Sequence, residues 1–175
     1  MLRIPSELHA ALKAAAETAG LSLNEYCARK LAAPGDPPSG PSEGAIRRAV
    51  GTFGEHLVGV VAFGSWARDE LTESSDVDLL VVLDGSVAIT RGLYRDWDAA
   101  PLRWDGHAVE PHFAHLPGEE ARIMGLWAEV ATEGIVLVER HHEVSRFLAR
   151  TRRHILETPL ERRWAGGQPY WVRAG

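Results

Sequence analysis

The chain has 175 residues, of which 45% are hydrophobic and 25% charged, with a formal net charge of −5. That length holds one ordinary domain and a small one; no apolar run approaches the length that spans a bilayer, and the opening residues do not read as a signal peptide. The single cysteine, Cys27, excludes an internal disulfide framework and fits a reducing cytoplasm, the expected location.

The first thirty-three residues predict two short helices. Ser6 caps a helix running to Gly20, with Leu8, Leu12, Ala15 and Ala19 on one stripe, and Gly20 supplies a left-handed stop. Ser22-Leu23-Asn24-Glu25 reads as a capping box that starts the second helix at once, with Leu23, Tyr26, Cys27 and Leu31 as its apolar positions. Preceded only by a short strand at Leu2–Pro5, these helices cannot bury a core alone and need a partner. Arg3-Ile4-Pro5-Ser6-Glu7-Leu8-His9 and Gly20-Leu21-Ser22-Leu23-Asn24-Glu25-Tyr26 resemble the strand-to-helix entry and the turn of a ribbon-helix-helix module. The resemblance implies an intertwined homodimer whose paired strands enter the major groove of DNA. The sequence departs in offering only Met1–Ile4 for the ribbon. Its charge is also nearly balanced, Arg3, Lys13, Arg29 and Lys30 standing against Glu7, Glu17 and Glu25, whereas DNA binding rests on several phosphate-neutralising cations. Dimerisation is therefore expected rather than operator recognition. The plain alternative is a helical hairpin that packs on the rest of the chain. Residues 34–43, beginning Pro34-Gly35-Asp36-Pro37-Pro38, are the expected linker.

Residues 44–140 form the expected core. A helix from Ser42 or Glu43 to Phe53 places Ile46, Ala49, Val50 and Phe53 at helical spacing and leads into a strand at Leu57–Phe63. Gly64 breaks that strand and Ser65 follows as an N-cap would, so a short helix with phosphate-binding N–H groups can start. A second apolar run, Val77–Leu83, opens with Asp76 and Asp78. On a strand the i, i+2 spacing puts both carboxylates on one face, where they repel unless a hard divalent cation, Mg²⁺ or Mn²⁺, lies between them. A helix is predicted at Ala88–Trp97, then a turn from Pro101 to Gly106. Trp97 and Trp104 either pack in the core or flank a nucleotide base. In the strand His107–Ala114, Val109, Pro111 and Phe113 face one way and Glu110, His112 and Ala114 the other. Pro111 implies an edge or a bulge. His112 either contacts phosphate or metal or is simply half-buried and hydrogen-bonded. A helix over Gly118–Ala131, stopped by Gly134, precedes a last strand at Ile135–Val138.

Residues 140–175 carry 8 Arg and 3 Glu, a net of +5, against −10 for residues 1–139 with 11 Lys or Arg and 21 Asp or Glu. A final helix is expected from His141-His142 to Leu156, bearing Arg146, Arg150, Arg152 and Arg153. The charge split marks an acidic partner or a solvated face that balances the body's own charge. The aromatic tail with Trp164, Tyr170 and Trp171 folds over the site or docks on a partner.

Gly64-Ser65-x-Ala67-Arg68 followed by Ser75-Asp76-x-Asp78-Leu79 resembles the active-site signature of the minimal nucleotidyltransferases of the DNA polymerase β superfamily. Leu126-Trp127-Ala128-Glu129 to Gly134-Ile135-Val136-Leu137 is similar to that domain's closing helix and strand. The resemblance implies an α/β (α+β) fold, a small mixed sheet flanked by helices. It implies Mg²⁺ or Mn²⁺ held by Asp76, Asp78 and, as third carboxylate, Glu110. Gly64, Ser65, Arg68 and Ser75 are the expected contacts for an NTP, ATP foremost, although Arg68 can equally pair with Asp69 or Glu70. Asp69 departs from the family's glycine, which is expected to loosen the turn. The implied activity is Mg-dependent transfer of an NMP, AMP foremost, to a hydroxyl, plausibly on a HEPN-type toxin that the protein neutralises as an antitoxin. The alternative is a dimeric DNA-binding autorepressor, or a toxin-neutralising binding protein with an inactive transferase fold.

Overall fold

Two apolar runs form the middle of the structure, a computed structural model that describes residues 6–18, 20, 22–24, 26–27, 42–118, 125–157, 160–165 and 168–173. They are strands β1 (Leu57–Phe63) and β2 (Val77–Leu83), paired antiparallel. All seven residues of β1 are buried, as are six of the seven in β2. Continuous apolar runs of this kind suit strands covered on both faces. Strand β3 (Arg103–Trp104) pairs antiparallel with β4 (His107–His115), which runs parallel to β2. Strand β5 (Ile135–Glu139) lies antiparallel on the far side of β1. The order β3-β4-β2-β1-β5 gives one mixed sheet of five strands, the α/β architecture expected.

Helices cover both faces. Apart from α1 (Ser6–Thr18), which belongs to a separate unit described below, they are in the chain's order α2 (Glu43–Phe53), α3 (Gly64–Ala67), α4 (Arg91–Asp98), α5 (Gly125–Glu133) and α6 (Glu143–Glu157). Ala45, Ala49 and Phe53 of α2 and Trp97 of α4 pack with Leu79, Val81 and Leu83 on one face. Trp127 and Val130 of α5 and Val144, Phe147 and Leu148 of α6 pack with Leu80 and Val82 on the other. Each fully buried Leu or Val contributes about 1.5–3 kcal/mol. The core therefore continues past residue 140 into α6.

Gly59 lets β1 serve both faces. Two residues of β1, Val58 and Gly59, stand against Val82 alone, a bulge that shifts the register between Leu57 and Gly59. A Cβ on Gly59 would meet Val144 Cγ2 at 2.8 Å. Gly134 acts likewise through space: it ends α5, and a Cβ there would lie 2.4 Å from the Val130 carbonyl oxygen.

Several expected boundaries move. Helix α4 begins at Arg91, not Ala88, because Thr90 is extended and its hydroxyl accepts the Leu93 N–H as an N-cap. Val50, expected on the apolar stripe of α2, is 46% exposed. Gly118 lies outside α5, and residues 119–124 lie outside the described residues. His141 and His142 are not helical: both have positive φ, 51° and 57°, and form a turn before α6. Trp97 and Trp104 are 5% and 3% exposed, which makes them core residues, the first of the two alternatives. Pro111 stands where β4 pairs only with β2, since β3 reaches no further than Ala108, so an unpaired edge accommodates it. The tail forms a hairpin of β6 (Leu160–Ala165) and β7 (Gln168–Arg173).

The chain divides into two compact units, Met1–Asp36 and Pro37–Gly175. In the first, α1 starts at Ser6 and Gly20 closes it with φ +66°. Leu23, Asn24, Tyr26 and Cys27 are helical, and the Tyr26 N–H donates to the Ser22 carbonyl at 2.9 Å. The predicted strand at Leu2–Pro5 and most of the linker lie outside the described residues. No helix among the described residues is long and apolar enough to cross a membrane.

A surface turn after β2 carries a clear electrostatic signature. The Ser86 hydroxyl and N–H donate to Asp84, and His56 Nδ1 lies 3.0 Å from its other oxygen. The Ser86 hydroxyl first, then its N–H, with a smaller contribution from His56, lower the Asp84 carboxyl from 3.8 to about 2. A depressed carboxylate pKa adds stability that is fully present above the unfolded value and is lost as pH falls through the folded one. Carbon-detected NMR should therefore show Asp84 titrating near 2, and Ser86→Ala should return it towards 3.8. An unchanged titration in the variant contradicts this account.

Candidate active site

The end of β1 and the starts of β2 and β4 meet at one edge of the sheet. Phe63, the last residue of β1, pairs with Asp78, and Asp78 pairs with Glu110 across the parallel β2–β4 ladder. Asp78 and Glu110 therefore share a face, as the alternation of β4 predicts. Asp76 is the residue before β2 and is exposed, as is Glu110, whereas Asp78 is half-buried. Among the described residues no three acidic, histidine or cysteine side chains stand together at metal-ligand spacing.

Gly64 connects this edge to α3. Its φ is +72°, and a Cβ built on it would lie 2.1 Å from Asp78 Oδ2. Real Cβ atoms do not approach so closely, so the residue must be glycine for two independent reasons. Helix α3 has only four residues. Its contribution to an anion is less a macrodipole than the N–H groups of its first turn, which have no intrahelical acceptor. Ser65 lies in that turn, and its carbonyl accepts the Glu70 N–H at 2.9 Å. Asp69 adopts φ +62°. The left-handed region favours glycine and tolerates Asp better than most residues. The departure at Asp69 thus places a strained residue in a closed turn, where a loosened turn was expected.

Two anchors fix the turn. The Trp66 ring packs on Trp104, centroids 4.6 Å apart. Arg68 donates through Nε to Glu70 and through NH1 to Glu133, each at 2.6 Å. The expected alternative, pairing with Glu70, is present, together with a partner on α5 that spacing did not reveal. Burial works against the Arg68 charge, but the hydrogen bonds to Glu70 and Glu133 outweigh it and hold its pKa above the ordinary arginine value.

Glu129 and Glu133 lie one turn apart on α5, nearly buried. Arg162 of β6 donates to both, to Glu133 at 2.5 Å, and Trp171 Nε1 of β7 donates to Glu129 at 3.2 Å. Burial and then the neighbouring Glu133 push the Glu129 carboxyl up, while Trp171 and Arg162 pull against that. The hairpin therefore packs beside the Arg68 anchor. The signal available in the sequence was Glu129 within the apolar run 126–131 of the helix, a position that demands a partner when buried.

Ser75 serves its own turn: its hydroxyl lies 2.9 Å from Thr72 Oγ1 and accepts the Thr72 N–H at 3.0 Å. The Ser75 carbonyl accepts from His107 Nδ1 at 2.8 Å, which fixes the proton on that nitrogen. His112 Nε2 lies 3.2 Å from Asp78 Oδ1. A cavity of about 240 Å³ between Leu57–Gly59 and Val138–Arg140 lies at the opposite end of β1 from Gly64.

Oxygen ligands on carboxylates suit Mg²⁺ or Mn²⁺. Among the described residues, no arginine or lysine pairs with Asp76, Asp78 or Glu110, whereas two arginines pair with Glu129 and Glu133. The first group thus has room for a cation from outside the chain, and the second does not.

Gly64→Ala forces either the Asp78 carboxylate or the turn to move. It should destabilise the protein by about 1–3 kcal/mol, the cost of overpacking, and abolish any activity that depends on Asp78. Wild-type activity in a variant with an unchanged melting temperature would contradict the close approach.

Comparison with known proteins bears on the same residues. Residues 45–125 match the nucleotidyltransferase domain family, and residues 1–31 match the HicB family. No curated protein matches the chain. Among solved structures, a toxin-antitoxin with AMP-PNP is 17% identical, with a TM-score of 0.45 over 65% of this chain and 86% of that one. The complex of tri-AMPylated Shewanella oneidensis HEPN toxin with MNT antitoxin is 16% identical, with a TM-score of 0.42 over 66% and 85%. The toxin-antitoxin MntA-HepT is 17% identical, with a TM-score of 0.41 over 66% and 86%. The segment that carries the glycine-serine turn, the aspartate pair and Glu110 is therefore the segment that matches the nucleotidyltransferase domain family.

Proposed function

We propose that the protein is a Mg²⁺-dependent nucleotidyltransferase that moves AMP from ATP to a hydroxyl of a partner toxin protein. The observation that carries this reading is the packing of the Gly64 turn against the Asp78 carboxylate, beside acidic residues with which no described arginine or lysine pairs. The match of residues 45–125 to the nucleotidyltransferase domain family supports it. Asp76, Asp78 and Glu110 are the residues that would hold Mg²⁺ or Mn²⁺. Bound there, the cation supplies charge neutralisation at the triphosphate and acidifies the acceptor hydroxyl.

The chain's own residues do the positioning. Gly64 admits the triphosphate close to the backbone, and Ser65 with the first-turn N–H groups of α3 receives its oxygens. Arg68 and Trp66 brace that turn from opposite sides. Ser75 closes the turn that delivers Asp76 and Asp78. In the transfer, the acceptor oxygen bonds to the α-phosphorus as the bond to the β-phosphate bridging oxygen breaks. Pyrophosphate leaves, and the hydroxyl proton passes to an exposed carboxylate of the site or to water. Holding reactants in line in this way is the main protein contribution to such a transfer.

The test is incubation with Mg²⁺ and ATP labelled separately at the α and γ positions, with a HEPN toxin or cell lysate as acceptor. Label is expected from the α position only, and should be lost in Asp76→Ala/Asp78→Ala. Transfer from the γ position, or undiminished transfer in the double variant, would sink the reading.

Residues 1–33 we assign to dimerisation, on the resemblance of their two short helices to a ribbon-helix-helix module. Sedimentation of the full chain should give a dimer, and of a chain lacking residues 1–33 a monomer. A monomeric full chain removes this assignment.

A further inference from the structure

We propose that His112 is a positioning residue of the site, one that holds the Asp78 carboxylate by donating a hydrogen bond from Nε2. The inference rests on the reading of Asp78 as a metal-holding carboxylate. His112 sits on β4 two residues beyond Glu110, on the same face, at the register position of Leu80. Its Nε2 lies 3.2 Å from Asp78 Oδ1. An ionised carboxylate only accepts, so the proton of this bond belongs to Nε2. The ring is held in turn by Phe63, edge to face with centroids 5.2 Å apart. Phe63 is itself the β1 partner of Asp78 and the residue before Gly64.

The two carboxylate oxygens of Asp78 are thus confined by different strands. Oδ1 meets His112 of β4, and Oδ2 faces the Gly64 Cα at the end of β1. Without the His112 bond the carboxylate keeps only a steric wall on the Gly64 side and can rotate about its own axis. Groups that orient metal-ligating carboxylates in this way typically matter 10–100-fold in metal affinity.

Mn²⁺ alone serves as the probe, followed by electron paramagnetic resonance without nucleotide. His112→Leu removes the donor at similar size, and His112→Gln keeps an N–H donor. The Leu variant should bind Mn²⁺ about 10-fold or more weakly, and the Gln variant within about 3-fold of wild type, the difference that a retained donor makes. Wild-type affinity in the Leu variant, or equal losses in both, would overturn the proposal. A second measurement needs no metal: the His112 Nε2–H resonance in the nitrogen-correlated spectrum of the full chain should be present and should shift or vanish in Asp78→Ala. Its indifference to that substitution also overturns the proposal, including where the Leu variant does not fold. If the wild type binds no Mn²⁺ while the resonance behaves as expected, the metal reading fails and the His112–Asp78 contact stands.

Discussion

Gly64 stands so close to Asp78 that any side chain would occupy the carboxylate's own place, a Cβ there lying 2.1 Å from Oδ2. Much of the surrounding architecture serves this approach. The antiparallel pairing of Phe63 with Asp78 sets the two strands in register, and the positive φ of Gly64 turns the chain across the carboxylate and not away from it. Trp66 is seated against Trp104 on one helix-covered face, and Arg68 reaches Glu133 on α5. A turn held at both flanks can bring backbone N–H groups to an anion without the long helix that a macrodipole requires.

Two acidic groups lie within reach of the same short helix and are handled in opposite ways. Glu129 and Glu133 are nearly buried, and each is paired with arginine. Burial of an unpaired carboxylate costs several kcal/mol, so this pair must be neutralised by the chain itself. Asp76 and Glu110 are exposed and Asp78 is half-buried, so water can bear their charge. The contrast rests on burial and partners more than on residue type.

The sheet was largely legible in the sequence. Strands β1 and β2 fall at the expected residues, because apolar runs of strand length between turn signals leave little ambiguity. The glycine-serine turn and the aspartate pair could be read from their spacing alone. Other features depend on contacts distant in sequence. The two-residue strand β3 has no periodicity to read, and His141 and His142 carry no sequence mark of their left-handed turn. The hairpin at the end of the chain was hidden by an arginine-rich composition that suggests a solvated surface. Arg162 finds its partners 29 and 33 residues away, and no local pattern announces them. The histidine of β4 was legible as a residue on the acidic face, but its bond to Asp78 needed the parallel register of β2 and β4.

The hairpin gives the order of synthesis a structural meaning. The ribosome makes the turn, the aspartates and both glutamates well before it makes Arg162 and Trp171. While the chain is still growing, Glu129 lacks both of its donors from the hairpin, and Arg68 is the remaining described cation beside two carboxylates. Closure of the charge balance beside the Gly64 turn therefore waits for Arg162 and Trp171 to emerge. A ribosome that stops before residue 160 leaves a chain with every residue of the aspartate motif and with Glu129 lacking both hairpin donors.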